Sequence, residues 1–284
     1  MVVLAQHAGG AELRAAQRVA ATPAGGVLEP GLLQLARWRL IAMHHAAGVG
    51  HLGGNLSAFD AMMLLHHEML GSQDRFVLSK GHAAGAYYVT LWSRGLVTEA
   101  ELDTFHGEGT WLAGHPPARG VAAIRFGTGS LGHGTSLAAG LALSMRLQGR
   151  PGRVFCLTSD GEWQEGSTLE ALIFAAHNRL GNLTILVDNN RLQGFGTTQE
   201  VASMEPLASR LAGFDVEIRE ADGHDLGDMR RALVPGHGRP TLIVLHTVKG
   251  HGVPAIENRM DSHYLPLTDD QYREALTGIG SLGA

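Results

Sequence analysis

The stretch VFCLTSDGEWQEGSTLEALIFAAHNRLGNLTILVDNN, residues 154–190, decides the fold. It begins with an apolar run over 154–158 that predicts a buried strand, continues with a helical pattern that ends at Gly181, and closes with a second apolar run over 183–188. Two buried strands joined by a helical crossover lie parallel in one sheet, and helices cover both faces of such a sheet. The stretch therefore predicts an α/β protein with a doubly wound, mostly parallel sheet flanked by helices.

The rest of the chain continues this alternation of helices and strands. Further strands are predicted at 76–78, 214–218 and 241–247, and further helices at 30–48, 61–70, 83–94, 131–149, 205–211, 226–233 and from residue 269 onward. Ser57 and Asp60 resemble a capping box, which predicts that the second helix starts just after them. Residues 1–27 are an Ala/Gly-rich lead-in with a weak helical pattern, and residues 28–284 are expected to form one domain.

The composition excludes several classes of protein. Apolar residues make up 44% of the 284 residues and charged residues 17%, so the chain is too hydrophobic to be disordered. No run approaches the ~18 apolar residues that a bilayer crossing requires, and the first residues do not resemble a signal peptide, so a cytoplasmic location is expected. The net charge of −5 argues against nucleic acid as a partner. The single cysteine, Cys156, excludes an internal disulfide and is expected to be inert.

Polar side chains follow both strands of the opening stretch. Asp160, Gly161 and Glu162 come directly after the first strand, and Asn190 comes after the second, thirty positions beyond Asp160. Because ligands bind at the carboxyl ends of parallel strands, the two loops are expected to meet in one crevice. Carboxylate and amide oxygens suit Mg²⁺ or Ca²⁺, and Mg²⁺ often completes its shell with phosphate oxygens. The pattern predicts a metal-bridged diphosphate, although either pair of residues alone is also typical of an ordinary turn.

Six further motifs carry a resemblance to a known family. They are GHLGGNLSAFDAM (50–62), DRFVLSKGHAAGAYY (74–88), LAGHPP (112–117), GTGSLGHGTSLAAGLALS (127–144), VDNNRLQG (187–194) and SHYLPLTDDQY (262–272). Together with DGEWQEG they resemble the transketolase family, whose thiamine diphosphate signature begins Gly-Asp-Gly and ends Asn-Asn about thirty residues later. The resemblance extends over residues 28–276 and implies the thiamine diphosphate-binding fold of the diphosphate-binding (PP) module.

The resemblance also implies the cofactor site. Asp160, the side chain of Asn190 and the main-chain carbonyl of Leu192 would hold Mg²⁺, for which Ca²⁺ could substitute, against the cofactor diphosphate. Gly161 would permit close approach of the backbone, with Glu162 beside it. Relatives line the aminopyrimidine with residues that correspond to Gly129, Ser130 and Leu131, and their loop at Lys249 approaches the cofactor.

Histidines in four of the motifs are candidates for the catalytic groups. The family places active-site histidines where this sequence has His51, His82, His115 and His263, and His82 and His263 would also contact the cofactor. An imidazole of near-neutral pKa can donate hydrogen bonds to sugar hydroxyls and transfer their protons, which two-carbon transfer requires. We therefore expect these four residues to carry the chemistry.

The resemblance matches only part of a full-length transketolase, because the pyrimidine-binding and C-terminal domains of the family have no counterpart in the sequence. The chain is thus similar to the N-terminal subunit of split, two-component transketolases. It would move a glycolaldehyde unit from a ketose donor to an aldehyde acceptor, and it would be inactive without a pyrimidine-binding partner in an α2β2 assembly, where Glu165 would lie at the dimer contact.

Two residues depart from the family pattern, and three alternative functions stay open. Ser159 stands where the signature has its first glycine, and Arg125 stands where similar chains often carry an acid. The alternatives are a thiamine-dependent subunit of the 2-oxoacid dehydrogenase or acetoin-cleaving type, a non-catalytic scaffold subunit, and an Mg²⁺-dependent phosphohydrolase.

Overall fold

A five-stranded parallel sheet forms the centre of the computed structural model, which describes residues 26–279. Its strands are β1 (Arg75–Leu78), β2 (Val154–Ser159), β3 (Leu183–Asn189), β6 (Glu217–Asp222) and β7 (Thr241–His246). They lie in the order β1-β2-β3-β7-β6, and every neighbouring pair is parallel. A separate antiparallel hairpin follows β3 and consists of β4 (Leu192–Gln193) and β5 (Gly196–Thr197).

Helices cover both faces of the sheet. The longer ones are α1 (Pro30–Ala47), α2 (Leu52–Leu64, followed by a π-helical turn over Leu65–Met69), α3 (Ala84–Ser93), α5 (Gly134–Leu147), α6 (Gly166–His177) and α10 (Asp269–Ile279). The shorter ones are α4 (Glu99–Leu102), α7 (Thr198–Ala202), α8 (Leu207–Leu211) and α9 (Leu226–Ala232). No helix of residues 26–279 is both long and apolar enough to cross a bilayer.

The two faces of the sheet contribute to two separate hydrophobic cores. Phe155 and Leu157 of β2 face the larger core, which α1, α2 and α3 enclose, while Val154 and Cys156 face the core against α5 and α6. This alternation follows from the two-residue repeat of a strand, whose successive side chains point to opposite faces. All six residues of β2 are buried, as expected for a central parallel strand.

The structure confirms the predicted fold class and most of the predicted elements. α1 begins at Pro30 and ends before Gly48, which adopts the left-handed conformation that favours glycine. The strand expected at 214–218 lies at Glu217–Asp222 instead. Most of the predicted lead-in, residues 1–25, is outside the described residues.

The predicted start of the second helix is wrong. α2 begins at Leu52, and the preceding His51 adopts a left-handed conformation with φ of 66°. Ser57 is inside the helix, where its hydroxyl donates to the carboxylate of Asp188 at 2.6 Å, and Asp60 forms a buried ion pair with Arg37. Since every residue of α2 is buried, tertiary contacts rather than a local cap determine where this helix starts.

Candidate functional site

A cavity of about 300 Å³ lies at the carboxyl ends of β2 and β3. Most of the residues singled out from the sequence line it, namely His51, His82, His115, Gly129, Leu131, Asp160, Gly161, Asn190, Leu192, Lys249 and His263. Adjacent strands bring the two loops together because Ser159 pairs with Asp188 and the amide of Asp160 donates to the Asp188 carbonyl at 3.2 Å. Ser130 is exposed and Glu162 is fully buried, and neither lines the cavity.

Asp160 presents a desolvated carboxylate to the cavity. The side chain accepts hydrogen bonds from the backbone amides of Gly161 at 2.7 Å and Arg191 at 2.5 Å. Burial, followed by the nearby charge of Asp188, raises the pKa of Asp160 to about 7. A bound cation would reverse this shift, because it would supply the opposite charge that the buried carboxylate lacks.

Asn190 and Leu192 add two oxygen atoms to this end of the cavity. The Asn190 amide nitrogen donates to Asp188 at 3.2 Å, which fixes the amide so that its oxygen accepts from the backbone amide of Leu192 at 3.1 Å. A carboxylate, an amide oxygen and a main-chain carbonyl are the ligands that Mg²⁺ and Ca²⁺ prefer. A Cβ at Gly161 would make only an ordinary contact with Gln193 at 3.6 Å, so the chain itself does not demand this glycine. The donor set and the open space both fit a metal-bound diphosphate.

A buried ion pair lies beneath the cavity, and sequence reasoning missed it. The ammonium group of Lys80 contacts Asp188, with both side chains fully inaccessible to solvent, and also donates to the carbonyl of Gly54 at 2.8 Å. Burial alone would raise the pKa of Asp188, but Lys80 and the hydroxyls of Ser57 and Thr247 overcome this and hold it below its usual range. A lysine directly after a buried strand was the only local signal for this pair.

The buried carboxylate of Glu162 connects three segments of the chain by hydrogen bonds. Its carboxylate accepts hydrogen bonds from the Ser79 hydroxyl, from the amide of Gly132 at 3.0 Å and from the amide of Ser159 at 2.9 Å. Burial raises the pKa of Glu162 in spite of these donors. Ser159 lies in extended strand β2 rather than in a left-handed conformation, which explains why a residue with a Cβ is tolerated there.

Four histidines lie close together at one wall of the cavity. The ring of His51 lies 5.9 Å from that of His82, 6.0 Å from that of His115 and 5.2 Å from that of His263, measured between centroids. Burial and then the charges of neighbouring histidines and lysines lower the pKa of His51 to about 4 and that of His263 to about 3. The near-neutral pKa expected from the sequence is therefore not retained, and His51 and His263 are neutral at pH 7.

Lys249 is buried between Leu192 and His263. Its ammonium group donates to the carbonyl of Leu192 at 2.9 Å and lies 3.0 Å from Nδ1 of His263. Burial, followed by repulsion from Lys80, lowers the pKa of Lys249 to about 8. Because a charged Lys249 can only donate, Nδ1 of His263 accepts and its Nε2 carries the proton.

Several other lining residues were not singled out as cofactor or catalytic residues. They include Gly54, Gln164, Glu165, Gln193, Gly194, Phe195 and Tyr264. Arg125 is exposed and does not line the cavity. Tyr264 lies in the motif 262–272, but the motif did not identify it as a site residue, and Phe195 lies outside every motif. Only the folded chain brings the two side chains to the cavity.

Asp60, His224 and His251 form a second cluster outside this cavity, with ligand atoms within 4.8 Å of one another. His224 contacts Asp60 through Nδ1 at 2.8 Å and accepts from the amide of Val248 through Nε2 at 2.9 Å. The ring of His251 stacks on that of His224 at 3.6 Å, and Arg37 pairs with Asp60. Both nitrogens of His224 are already engaged, so the cluster is a packing network rather than a vacant metal site.

Comparisons with known proteins identify the family and agree with the fold. A family model described as the thiamine diphosphate-binding domain of transketolase matches residues 34–281. The chain is 35% identical over 255 residues to a subunit of the apulose-4-phosphate transketolase of Phocaeicola vulgatus, and the match covers 86% of this chain and 90% of that protein. It is 34% identical over 249 residues to the SqwG subunit of the 6-deoxy-6-sulfo-D-fructose transketolase of a Clostridium species, covering 84% and 90% respectively.

Solved transketolases share the fold. The transketolase of Leishmania mexicana superposes with a TM-score of 0.81 at 24% identity, over 90% of this chain. The matched region makes up 42% of that structure. The chain thus spans nearly the full length of the split subunits and less than half of this single-chain enzyme.

Proposed function

Because the chain belongs to the transketolase family, we propose that it is the diphosphate-binding subunit of a two-component transketolase. The enzyme would move a two-carbon ketol unit from a ketose donor to an aldehyde acceptor. One observation carries the proposal: Asp160, Asn190 and Leu192, which would supply oxygen ligands, line the same cavity as four histidines.

Thiamine diphosphate and Mg²⁺ are the cofactors that these residues fit. Asp160, Asn190 and the Leu192 carbonyl would hold the cation, and Gly161 would leave room for the diphosphate. When bound, thiamine diphosphate supplies a thiazolium carbon that adds to a carbonyl and stabilises the carbanion left after C–C cleavage. Gly129 and Leu131 would line the aminopyrimidine.

The histidines of the cavity would bind and orient the donor. Their lowered pKa values keep them neutral at pH 7. The rings of His51, His82 and His115 can therefore each donate one hydrogen bond to a sugar hydroxyl and accept one from it. His263 can only donate, because its Nδ1 already accepts from Lys249. Lys249 would fix the tautomer of His263 and thereby direct a donor, Nε2, away from the lysine. In this proposal the four rings position hydroxyl protons without carrying a charge themselves.

A partner protein would complete the active site. The two similar proteins are each named as a subunit of a transketolase, which supports the same organisation here. We propose a cytoplasmic α2β2 assembly in which residues 28–284 form the diphosphate-binding domain and the partner supplies the pyrimidine-binding half. The family assignment favours this function over a 2-oxoacid dehydrogenase component.

Reconstitution tests the proposal. The purified chain, its pyrimidine-binding partner and the mixture are each assayed for transfer of a glycolaldehyde unit from a ketose to an aldehyde, with thiamine diphosphate and Mg²⁺. We expect transfer only in the mixture, and its loss on treatment with EDTA. Transfer by the chain alone at the rate of the mixture would contradict the proposal, and so would decarboxylation of 2-oxoacids in place of ketol transfer.

Matched variants connect the activity to the cavity. Asp160→Asn removes the negative charge of a proposed metal ligand, whereas Asp215→Asn makes the same chemical change at an exposed ion pair with Arg239. The mixture that contains Asp160→Asn is expected to lose transfer, and the one that contains Asp215→Asn is expected to retain it.

A further inference from the structure

We propose that Tyr264 determines donor specificity by contacting the hydroxylated chain of the ketose beyond its reacting carbonyl. The inference rests on the proposed function and adds a residue to it. Tyr264 lines the cavity beside His51 and His263, with ring centroids 6.4 Å and 4.6 Å from theirs. Its position, its fixed backbone and its unengaged hydroxyl together carry the proposal.

The backbone of Tyr264 is held in place from two sides. The amide of His51 donates to the His263 carbonyl at 3.0 Å, and the amide of Tyr264 donates to the Asp261 carbonyl at 3.1 Å. A Cβ on Gly50 would collide with the carbonyl of Tyr264, so the segment before α2 fits closely against this loop. The phenol therefore projects from a backbone that is already ordered, and ligand binding would not have to order it.

The phenol of Tyr264 occupies the space next to Gly194 of the β4–β5 hairpin. A methyl group on Gly194 would collide with the Tyr264 hydroxyl and would come within 3.1 Å of the ring carbon that bears it. Gly194 does not have a positive φ, so its conformation is open to other residues. The phenol is the closest neighbour of such a methyl group, and Nε2 of His263 follows at 3.4 Å. Tyr264 and Gly194 thus form a matched pair at the cavity.

The surroundings of the phenol favour uncharged sugar groups. Within the described part of the chain the Tyr264 hydroxyl has no hydrogen-bond partner, and the residue is 53% exposed. Among residues 26–279, Lys249 is the only lysine or arginine that lines the cavity, and it is already bonded to Leu192 and His263. A phenol among neutral imidazoles can exchange hydrogen bonds with hydroxyls and pack its ring against C–H groups, whereas a phosphate would have to compete for this one engaged cation.

Assays with two donor substrates distinguish a contact with the ketose chain from a general effect on catalysis. The reconstituted pair is assayed with a ketose and with hydroxypyruvate, which has no hydroxylated chain beyond its carbonyl carbon. For Tyr264→Phe we expect KM for the ketose to rise about threefold to tenfold, the loss of one hydrogen bond, while hydroxypyruvate kinetics and thiamine diphosphate affinity stay unchanged. Leu265→Ala, an exposed neighbour outside the cavity lining, is the control and should match the wild type with both donors.

The glycine provides an independent test of the geometry. Gly194→Ala should displace the phenol and weaken ketose use, and the same change should cost less in the Tyr264→Phe background because the colliding hydroxyl is gone. Additive effects of the two substitutions, or equal losses with both donors, would overturn the role of Tyr264. If the wild-type pair uses hydroxypyruvate and ketose but Tyr264→Phe matches it, only this inference fails. If the wild-type pair transfers from neither donor, the proposed function fails and takes this inference with it.

Discussion

Replacing Asp160 with asparagine should stabilise the chain when no cation is bound. The pKa of Asp160 is raised from 3.8 to about 7, chiefly by burial. A raised pKa in the folded state contributes stability that is fully present below pH 3.8 and is lost as the pH rises through 7. A shift of roughly three pKa units corresponds to about 4 kcal/mol of destabilisation of the folded chain at pH 8.

The gain from Asp160→Asn is smaller than this full cost. The carboxylate accepts from the amides of Gly161 and Arg191, and an asparagine oxygen can replace it for only one of them. Leaving a buried donor without an acceptor costs about 1–3 kcal/mol. The variant is therefore expected to be more stable than the wild type by about 1–3 kcal/mol at pH 8, with no gain near pH 4.

Cation and cofactor should reverse the order of stabilities. A ligand present at a hundred times its dissociation constant stabilises a folded protein by about 2.7 kcal/mol. Only the wild type should show this gain with Mg²⁺ and thiamine diphosphate. Urea denaturation of both proteins at pH 8 and pH 4, in EDTA and with both ligands, measures these free energies of unfolding. The reasoning is refuted if the variant is less stable than the wild type in EDTA at pH 8, or if both proteins gain equally from the ligands. Asp215→Asn, at an exposed position, should change neither the free energy of unfolding in EDTA nor the gain from the ligands.

Three further outcomes are expected. Lys80→Met should lower the free energy of unfolding in urea by about 3–5 kcal/mol, because it leaves the buried Asp188 charge unpaired. Arg239→Met, at an exposed ion pair, should lower it by less than about 1 kcal/mol. Equal losses in the two variants would contradict this expectation. Burial lowers the pKa of His66 to about 4, so its contribution to stability is lost as the pH falls from 6.5 through 4. His66→Gln should therefore reduce the slope of the free energy of unfolding against pH by about 1.4 kcal/mol per pH unit in that window, as measured by urea denaturation. An unchanged slope would contradict this expectation. Burial and then Glu162 raise the pKa of the Cys156 thiol, so a thiol reagent should label it only after unfolding in urea, and rapid labelling of the native chain would show that the thiol is accessible.

The local pattern was sufficient for the elements next to the cofactor site. The strand, turn, helix and strand of residues 154–190 follow from apolar runs and helical spacing, and their order places Asp160 and Asn190 at one edge of the sheet. This prediction succeeded because adjacent parallel strands present their carboxyl ends together. The four histidine motifs likewise identified residues that the fold brings to one cavity.

Contacts between distant residues decided the rest. The start of α2, the pairing of Lys80 with Asp188 and the position of Tyr264 against Gly194 each depend on segments far apart in the chain. The low pKa values of His51 and His263 depend on burial, which the sequence around each histidine does not reveal. By itself, then, the sequence determined the type of fold, the family and most of the residues at the cavity. Only the tertiary structure determined their charge states and their hydrogen-bond partners, because desolvation and non-local contacts exist only in the folded chain.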